Sequence, residues 1–348
     1  MAPLRVDEPI AVHHFGPDIS ETGGIEAVIR LLVSFSVGGD VVRAHSTRSG
    51  RGHAVTLVHT LAAASVLARL SRESVVHVHL SERGSFVREG SLLAVARSKR
   101  MPIVVTNHGA EYLEFAAEHS TLVGTVLRLA DVVLSLAPDA LETSRNLAPN
   151  AMHAIVPNPA VADKLSPAAG STGEVVLFAG EVGTRKGVDV LLRAWSLVLE
   201  QRPHARLMIA GPTSDVSADG VPGVISRGEV SPAEVRVLMR EARVIVLPSR
   251  HEAMPMVLTE ALAAGRPFVA SRIAGIVELA HGVQALVQPG DHSALAAEIC
   301  HLLAEPSVAT ERGELGRQFF ASTRSVEAVT PRLREAYLSA LRRRTSTS

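Results

Sequence analysis

Leu247-Pro-Ser-Arg-His-Glu-Ala-Met-Pro-Met-Val-Leu-Thr-Glu-Ala-Leu-Ala-Ala-Gly265 is the stretch whose reading decides the fold. Before it, Val244 to Leu247 is a short β-branched apolar run, the pattern of a buried strand. After it, Met256 to Ala264 has helical composition and stops at Gly265. A strand therefore feeds a helix through one loop. Pro255 follows Met254 and falls in the helix's first turn, where a proline is accepted. The amides of Met256, Val257 and Leu258 are then expected to lack intrahelical partners. Free amides and the helix dipole make an anion site. Two carboxylates flank it, Glu252 in the loop and Glu260 about two turns into the helix. A carboxylate beside an anion site is unfavourable unless it meets something neutral and rich in donors, such as ribose or hexose hydroxyls. The combination points to a sugar nucleotide.

Upstream, Glu174 to Ala179 reads as a strand and Gly180 to Gly187 as a glycine loop. The next helix carries Val188, Leu191, Leu192, Trp195 and Val198 at core spacing. Arg185 and Lys186 close the loop, where a guanidinium fork and a flexible ammonium suit a diphosphate. Further strands are expected at Arg206 to Ala210, Val224 to Arg227, Phe268 to Ala270 and Ala285 to Val287. Helices are expected at Pro232 to Glu241, Ser293 to Leu303 and Val326 to Leu341.

The first half alternates in the same way. Strands are expected at Ile10 to Phe15, Val41 to Ala44, Ala54 to Val58, Val75 to Val78, Ile103 to Thr106, Asp131 to Leu136 and His153 to Val156. A polar turn, Gly16 to Thr22, leads to Gly23-Gly24 and a helix with Ile25, Val28, Ile29 and Leu32 on one face. The glycine pair lets backbone approach a ligand closely, although a plain tight turn accounts for it equally well. Other helices are expected at Leu61 to Leu70, Phe86 to Arg97, Leu122 to Leu129 and Pro138 to Leu147. In an open α/β sheet ligands bind beyond the carboxyl ends of strands. That places His108, after Ile103 to Asn107, beside the expected crevice, with Glu111 and Tyr112 close behind. His13 and His14 are expected to finish the first strand.

The paired glutamates with seven residues between them, the Leu-Pro-Ser before them and the Ala-Leu-Ala-Ala-Gly-Arg-Pro after them resemble the motif of family-4 retaining glycosyltransferases. Phe178-Ala-Gly-Glu-Val-Gly-Thr-Arg-Lys-Gly187 is similar to that family's phosphate loop, and Ala285-Leu-Val-Gln-Pro-Gly-Asp291 is a third match. The resemblance covers Val175 to Pro306 strongly and the first half more loosely. It implies an α/β fold of two Rossmann-like domains facing across a cleft, the arrangement called GT-B. The expected organisation is an acceptor-side domain over 1–160, a linker over 161–173, a donor domain over 174–320 and a final helix over 321–348 packing back on the first domain. It implies that Lys186 and Arg185 neutralise the diphosphate, with Gly24, Gly180 and the amides of Met256 to Leu258 assisting, and that the Gly23-Gly24 loop lies against the donor's phosphates. Glu252 would hold sugar hydroxyls, Glu260 the ribose, and His108 the donor sugar. Two positions depart from the family pattern: Glu181 stands where many members carry arginine, and Met254 where an aromatic residue is common.

Composition supports this class. At 348 residues the chain is long enough for two cores, and 47% hydrophobic with only 3% aromatic residues suits buried parallel sheets built from Ala, Val, Leu and Ile. Zero formal net charge argues against nucleic acid as the main partner. A single cysteine, Cys300, allows no intrachain disulfide and fits a reducing compartment. Arg5, Asp7 and Glu8 precede the first apolar run, so no signal peptide is read, and the expected location is the cytoplasm. Arg43, Arg48, Arg51, Arg69 and Arg72 suit peripheral contact with an anionic membrane's inner face, without forming a dense cluster.

No Gly-x-Gly-x-x-Gly, Walker loop, His-Glu-x-x-His or Gly-x-Ser-x-Gly is present, nor the Asp-x-Asp of metal-dependent transferases. The expected activity is hexosyl transfer from a nucleotide-sugar, UDP-linked by preference, to a hydroxyl on a glycan, a lipid-linked or a small-molecule acceptor. Such transfer serves polysaccharide, glycolipid or glycosylated-metabolite synthesis. No cofactor or metal is expected to be needed. A non-catalytic binder and a UDP-sugar epimerase are the alternatives.

Overall fold

The computed structural model describes residues 8–21, 23–35, 40–50, 52–163 and 165–345. Arg5, Asp7, Thr22 and Arg51, named above, lie outside them. The chain divides into two compact units, Met1–Pro159 with Val326–Ser348, and Ala160–Ser325.

Unit 1 runs β1 (Ala11–Pro17), α1 (Gly24–Ser34), β2 (Val41–Arg48), α2 (His53–Arg69), β3 (Val75–Leu80), α3 (Gly84–Ser98), β4 (Ile103–Asn107), α4 (Tyr112–Glu118), α5 (Ser120–Leu127), β5 (Val132–Ser135), α6 (Pro138–Leu147) and β6 (Met152–Ile155). The six strands form one parallel sheet in the order β2-β1-β3-β4-β5-β6. Strand order reverses between β1 and β3, which makes that edge the switch point of the sheet.

Unit 2 runs β7 (Val175–Ala179), α7 (Val188–Gln201), β8 (Arg206–Ala210), β9 (Val224–Gly228), α8 (Pro232–Glu241), β10 (Val244–Leu247), α9 (Met256–Ala263), β11 (Phe268–Ser271), α10 (Ala274–Ala280), β12 (Ala285–Val287), α11 (His292–Ala304) and α12 (Pro306–Thr323). Its parallel sheet has the order β12-β11-β10-β7-β8-β9, so its switch point lies between β7 and β10. The last helix, α13 (Val326–Thr345), belongs to unit 1. There Val329, Leu333, Tyr337 and Leu341 bury against Val12, Val75, Val104 and Val132, one side chain from each of four strands. Burial of this kind contributes about 1.5–3 kcal/mol per large side chain. The opposite face of the sheet packs Phe15, Val76, Val78 and Val105 against α2 and α3.

Several expectations need correction. Ala54 to Val58 is the first part of α2, not a strand. Its β-branched apolar character misleads because those residues are not core: Leu57, Val58 and Leu61 are 59%, 64% and 62% exposed, while Ala63 and Leu67 make the buried contact. Strand β1 continues to Pro17, so His13 and His14 lie in its middle and are buried. Tyr112 points into the core, stacking near Phe86 and hydrogen-bonding Ser144 at 2.8 Å, so it does not line the expected crevice. The described residues of 161–173 are tied into unit 2. Asp163 accepts two hydrogen bonds from Arg240, at 2.8 and 3.0 Å, and the Gly170 amide donates to Thr310 Oγ1 at 3.0 Å. The short helices α4 and α10, and the long α12, carry only weak sequence signals. No helix among the described residues is long and apolar enough to cross a membrane.

Candidate functional site

The two loops singled out in the sequence leave the carboxyl ends of β7 and β10, the strands at the switch point of unit 2. Their pairing sets Val244 beside Val176 and Ile245 beside Leu177, so the loops that follow emerge side by side. Three contacts fix them. Gly187 has φ of 72°, and a Cβ there would come within 1.9 Å of the Pro248 carbonyl oxygen, so only glycine permits the approach. The Arg250 amide donates to the Arg185 carbonyl at 3.0 Å, and the Arg250 guanidinium grips Asp189 of α7 through two hydrogen bonds, at 2.8 and 2.9 Å.

Within that frame Lys186 Nζ donates to Glu252 Oε1 at 2.5 Å, and Ser249 Oγ donates to the same oxygen at 2.8 Å. Both charged side chains are largely enclosed, 16% and 7% exposed. Arg185 pairs with Glu181 at 2.9 Å, and this contact holds the Glu181 carboxyl below the usual range. Each basic residue expected to face a diphosphate therefore has an acidic partner of its own. Glu181, where the family pattern has arginine, is one of those partners rather than a bystander.

Helix α9 starts at Met256 with Pro255 as its cap and without any side-chain cap. The expectation of three unpartnered amides is corrected to two: the Leu258 amide donates to the Pro255 carbonyl at 3.2 Å, a tight first turn, which leaves Met256 and Val257 without a partner among the described residues. Met254 and Pro255 are buried beneath this turn. Glu260 lies four residues into α9, one turn rather than two. It is half-buried, its carboxyl has no hydrogen-bond partner among the described residues, and burial raises its pKa from 4.5 to about 7. An acceptor held without a partner is poised for a hydroxyl donor. Gly180 follows β7 with φ of 153°, and its carbonyl oxygen sits where a Cβ on Gly211 would come within 1.9 Å.

Ser249, Arg250, Asp189 and Gly275 carry no individual signal in the sequence as site-forming residues. Gly275 opens α10, where a Cβ would meet the carbonyls of Glu252 and Ala253 at 2.2 and 2.4 Å. A glycine near a helix start is a weak signal; nothing in the sequence links it to residue 252.

In unit 1, Gly23 is extended and precedes α1. A Cβ on it would strike the Glu26 carboxylate at 2.1 Å, whereas one on Gly24 would meet nothing within 4 Å. His108 follows β4, its amide donating to the Leu80 carbonyl at 2.8 Å. Its Nε2 is 2.8 Å from His79 Nδ1, and burial lowers its pKa to about 3, so the ring is neutral.

Two parallel sheets with loops gathered at their switch points define a protein of the two-Rossmann-domain, GT-B class. The chain superposes on sucrose-phosphate synthase from Thermosynechococcus elongatus with a TM-score of 0.76, covering 97% of this chain and 100% of the other at 18% identity. It also superposes on Anabaena HepE, crystallised in complex with UDP, with a TM-score of 0.70 over 94% and 99% of the two chains at 15% identity. Residues 173–305 match the family model described as glycosyl transferases group 1. D-inositol 3-phosphate glycosyltransferase of Segniliparus rotundus is 32% identical over 183 residues, 49% of this chain. The chain covers 40% of that relative's length.

Proposed function

We propose that this protein transfers a hexosyl group from a UDP-linked donor to an acceptor hydroxyl with retention of configuration. The observation that carries the reading is the Lys186–Glu252 pair beside the uncapped start of α9, one turn from the unpartnered Glu260 carboxyl. A group able to replace that pair's mutual contact must offer negative charge to the ammonium and hydroxyls to the carboxylate. A sugar diphosphate offers both. The amides of Met256 and Val257 add positive potential for the phosphates, and Glu260 takes the ribose hydroxyls.

Cleavage of the sugar–phosphate bond gives the ring oxocarbenium character and loads charge onto the departing diphosphate. Lys186, released from Glu252, and the helix start stabilise that charge, while Arg185 supplies the loop's second cation when it exchanges Glu181 for phosphate. Glu252 orients the sugar hydroxyls, and neutral His108 is assigned to a sugar hydroxyl as donor or acceptor. The glycine loop at Gly23 and Gly24 is assigned to the phosphates. The acceptor attacks on the leaving-group face, and catalysis rests on alignment and electrostatic stabilisation. Neither a metal nor a cofactor is required in this reading.

The Arg185–Glu181 pair favours a second reading, a nucleotide-binding protein without transfer activity, because it removes a cation from the phosphate loop. Thermal unfolding with UDP, GDP, dTDP and ADP, with and without Mg²⁺, tests the site. Saturation at a hundred times the dissociation constant adds about 2.7 kcal/mol. A metal-independent shift with UDP, lost in Glu260→Ala and Lys186→Ala, is expected, followed by UDP release from UDP-sugars in an acceptor screen. Binding without release on any acceptor supports the second reading, and no shift with any nucleotide sinks the donor site.

A further inference from the structure

The face of the unit 1 sheet beneath α13 is not uniformly apolar. Strand β3 alternates, with Val76, Val78 and Leu80 entering one core while Val75, His77 and His79 point the other way. On β1, His14 falls directly opposite His77 in the parallel register, so three imidazoles from two strands meet at the switch point of this sheet.

All three are at most 1% exposed. Their ring centroids are separated by 4.7 Å for His14–His77, 4.4 Å for His77–His79 and 5.1 Å for His14–His79. One ligand-capable atom from each lies within 4.8 Å of the others, and His14 Nδ1 is 2.8 Å from His79 Nε2. Burial keeps the rings neutral, which leaves a nitrogen lone pair on each.

We propose that His14, His77 and His79 form a Zn²⁺ site inside unit 1. Three nitrogens at about 2.0–2.1 Å from a tetrahedral ion stand roughly 3.3 Å apart, so binding parts His14 Nδ1 and His79 Nε2, now 2.8 Å apart, by about 0.5 Å and draws the wider pairs together by about 1.5 Å at most. Two of the three histidines already have the outer partners that metal-bound imidazoles use. His79 Nδ1 faces His108 Nε2 at 2.8 Å. The two nitrogens of His77 face Thr106 Oγ1 at 2.7 Å and the Tyr337 hydroxyl at 3.0 Å, so whichever turns to the ion, the other keeps a partner.

Room for a fourth ligand exists on both sides. A cavity of about 10 Å³ is lined by His77, His79, Thr106 and His108, and one of about 20 Å³ by His14, Asp40 and Tyr337. Each is the size of one water, and a bound hydroxide would offset part of the ionic charge. A ligand set of neutral nitrogens without carboxylate selects Zn²⁺ and its neighbours over Mg²⁺ and Ca²⁺. The site stands independently of the transferase reading.

Titration of the chelator-treated, tag-free chain with Co²⁺ and Zn²⁺ tests it. The expected result is one equivalent of Co²⁺ with the visible absorption of a tetrahedral site, displaced by Zn²⁺ and untouched by Mg²⁺. X-ray absorption of the zinc-loaded protein should then show three imidazoles. The double variant His14→Gln/His79→Gln should bind Zn²⁺ more than about 100-fold more weakly. His13→Gln, whose ring contacts His45 instead, should bind normally. Should the double variant not fold, the imidazole count on the unaltered protein decides. Absence of stoichiometric binding, fewer than three imidazoles, or unchanged affinity in a folded double variant overturns the proposal.

Discussion

Lys186 and Glu252 stand 66 residues apart in the chain, and their Nζ and Oε1 atoms are 2.5 Å apart. The contact joins the loop after β7 to the loop after β10, and an enclosed pair of this kind depends on both members. Removing one partner leaves a desolvated charge, which costs several kcal/mol. Lys186→Met and Glu252→Gln are each expected to lower the unfolding midpoint, with the double variant recovering part of the loss. A double-mutant cycle by urea denaturation should give a coupling of about 1–3 kcal/mol. The double variant should still fail to bind UDP, which separates the pair's structural role from its role toward phosphate.

Glu260 sets a pH dependence whose sign follows from its raised pKa of about 7 against the ordinary 4.5. Between those values the folded chain holds a proton that the unfolded chain has released. Stability therefore falls as pH rises through this window, and the penalty, roughly 1–3 kcal/mol, is complete above pH 7. Glu260→Gln should be more stable than the parent at about pH 8 and similar to it near pH 4.5. UDP affinity should move in the opposite sense, rising with pH as the carboxylate forms, and should be lost in the variant. Urea midpoints and calorimetric titration across pH check both signs.

Gly187→Ala and Gly24→Ala should behave differently. The first places a methyl group 1.9 Å from the Pro248 carbonyl at φ of 72°, so it should displace the phosphate loop, lower the melting temperature by several degrees and abolish the UDP shift. The second meets nothing within 4 Å, so its folding should be unaffected. A fall in transfer rate for Gly24→Ala with unchanged melting would then report contact with substrate.

His108→Ala should leave the UDP-dependent thermal shift intact while reducing transfer by about 100-fold, as removal of a positioned polar contact does. Loss of UDP binding in this variant would count against its assignment to the sugar.

Leu333→Ala probes the return of α13 onto unit 1, where the side chain is 6% exposed among Val12, Val75 and Val104. The cavity should cost about 2–4 kcal/mol. Scanning calorimetry should show it as an earlier transition, with the UDP shift retained.

The sequence by itself determined much of this protein. Alternation of β-branched runs with helical periodicity revealed the strands of both sheets except where Ala54 to Val58 mimicked one. Turn chemistry marked the loops after β7 and β10, and two carboxylates, Glu252 and Glu260, beside an uncapped helix start pointed to a sugar nucleotide. These are local properties, legible because each depends on residues within one or two turns of one another. The tertiary structure alone decided which charges meet: that Lys186 faces Glu252, that Arg185 is held by Glu181, and that Gly275 shelters the carbonyls of residues 252 and 253. It also decided that His14 of β1 lies opposite His77 of β3. Parallel strands are joined by whole helices, so their register is set by how both faces of the sheet pack, and no local pattern encodes it.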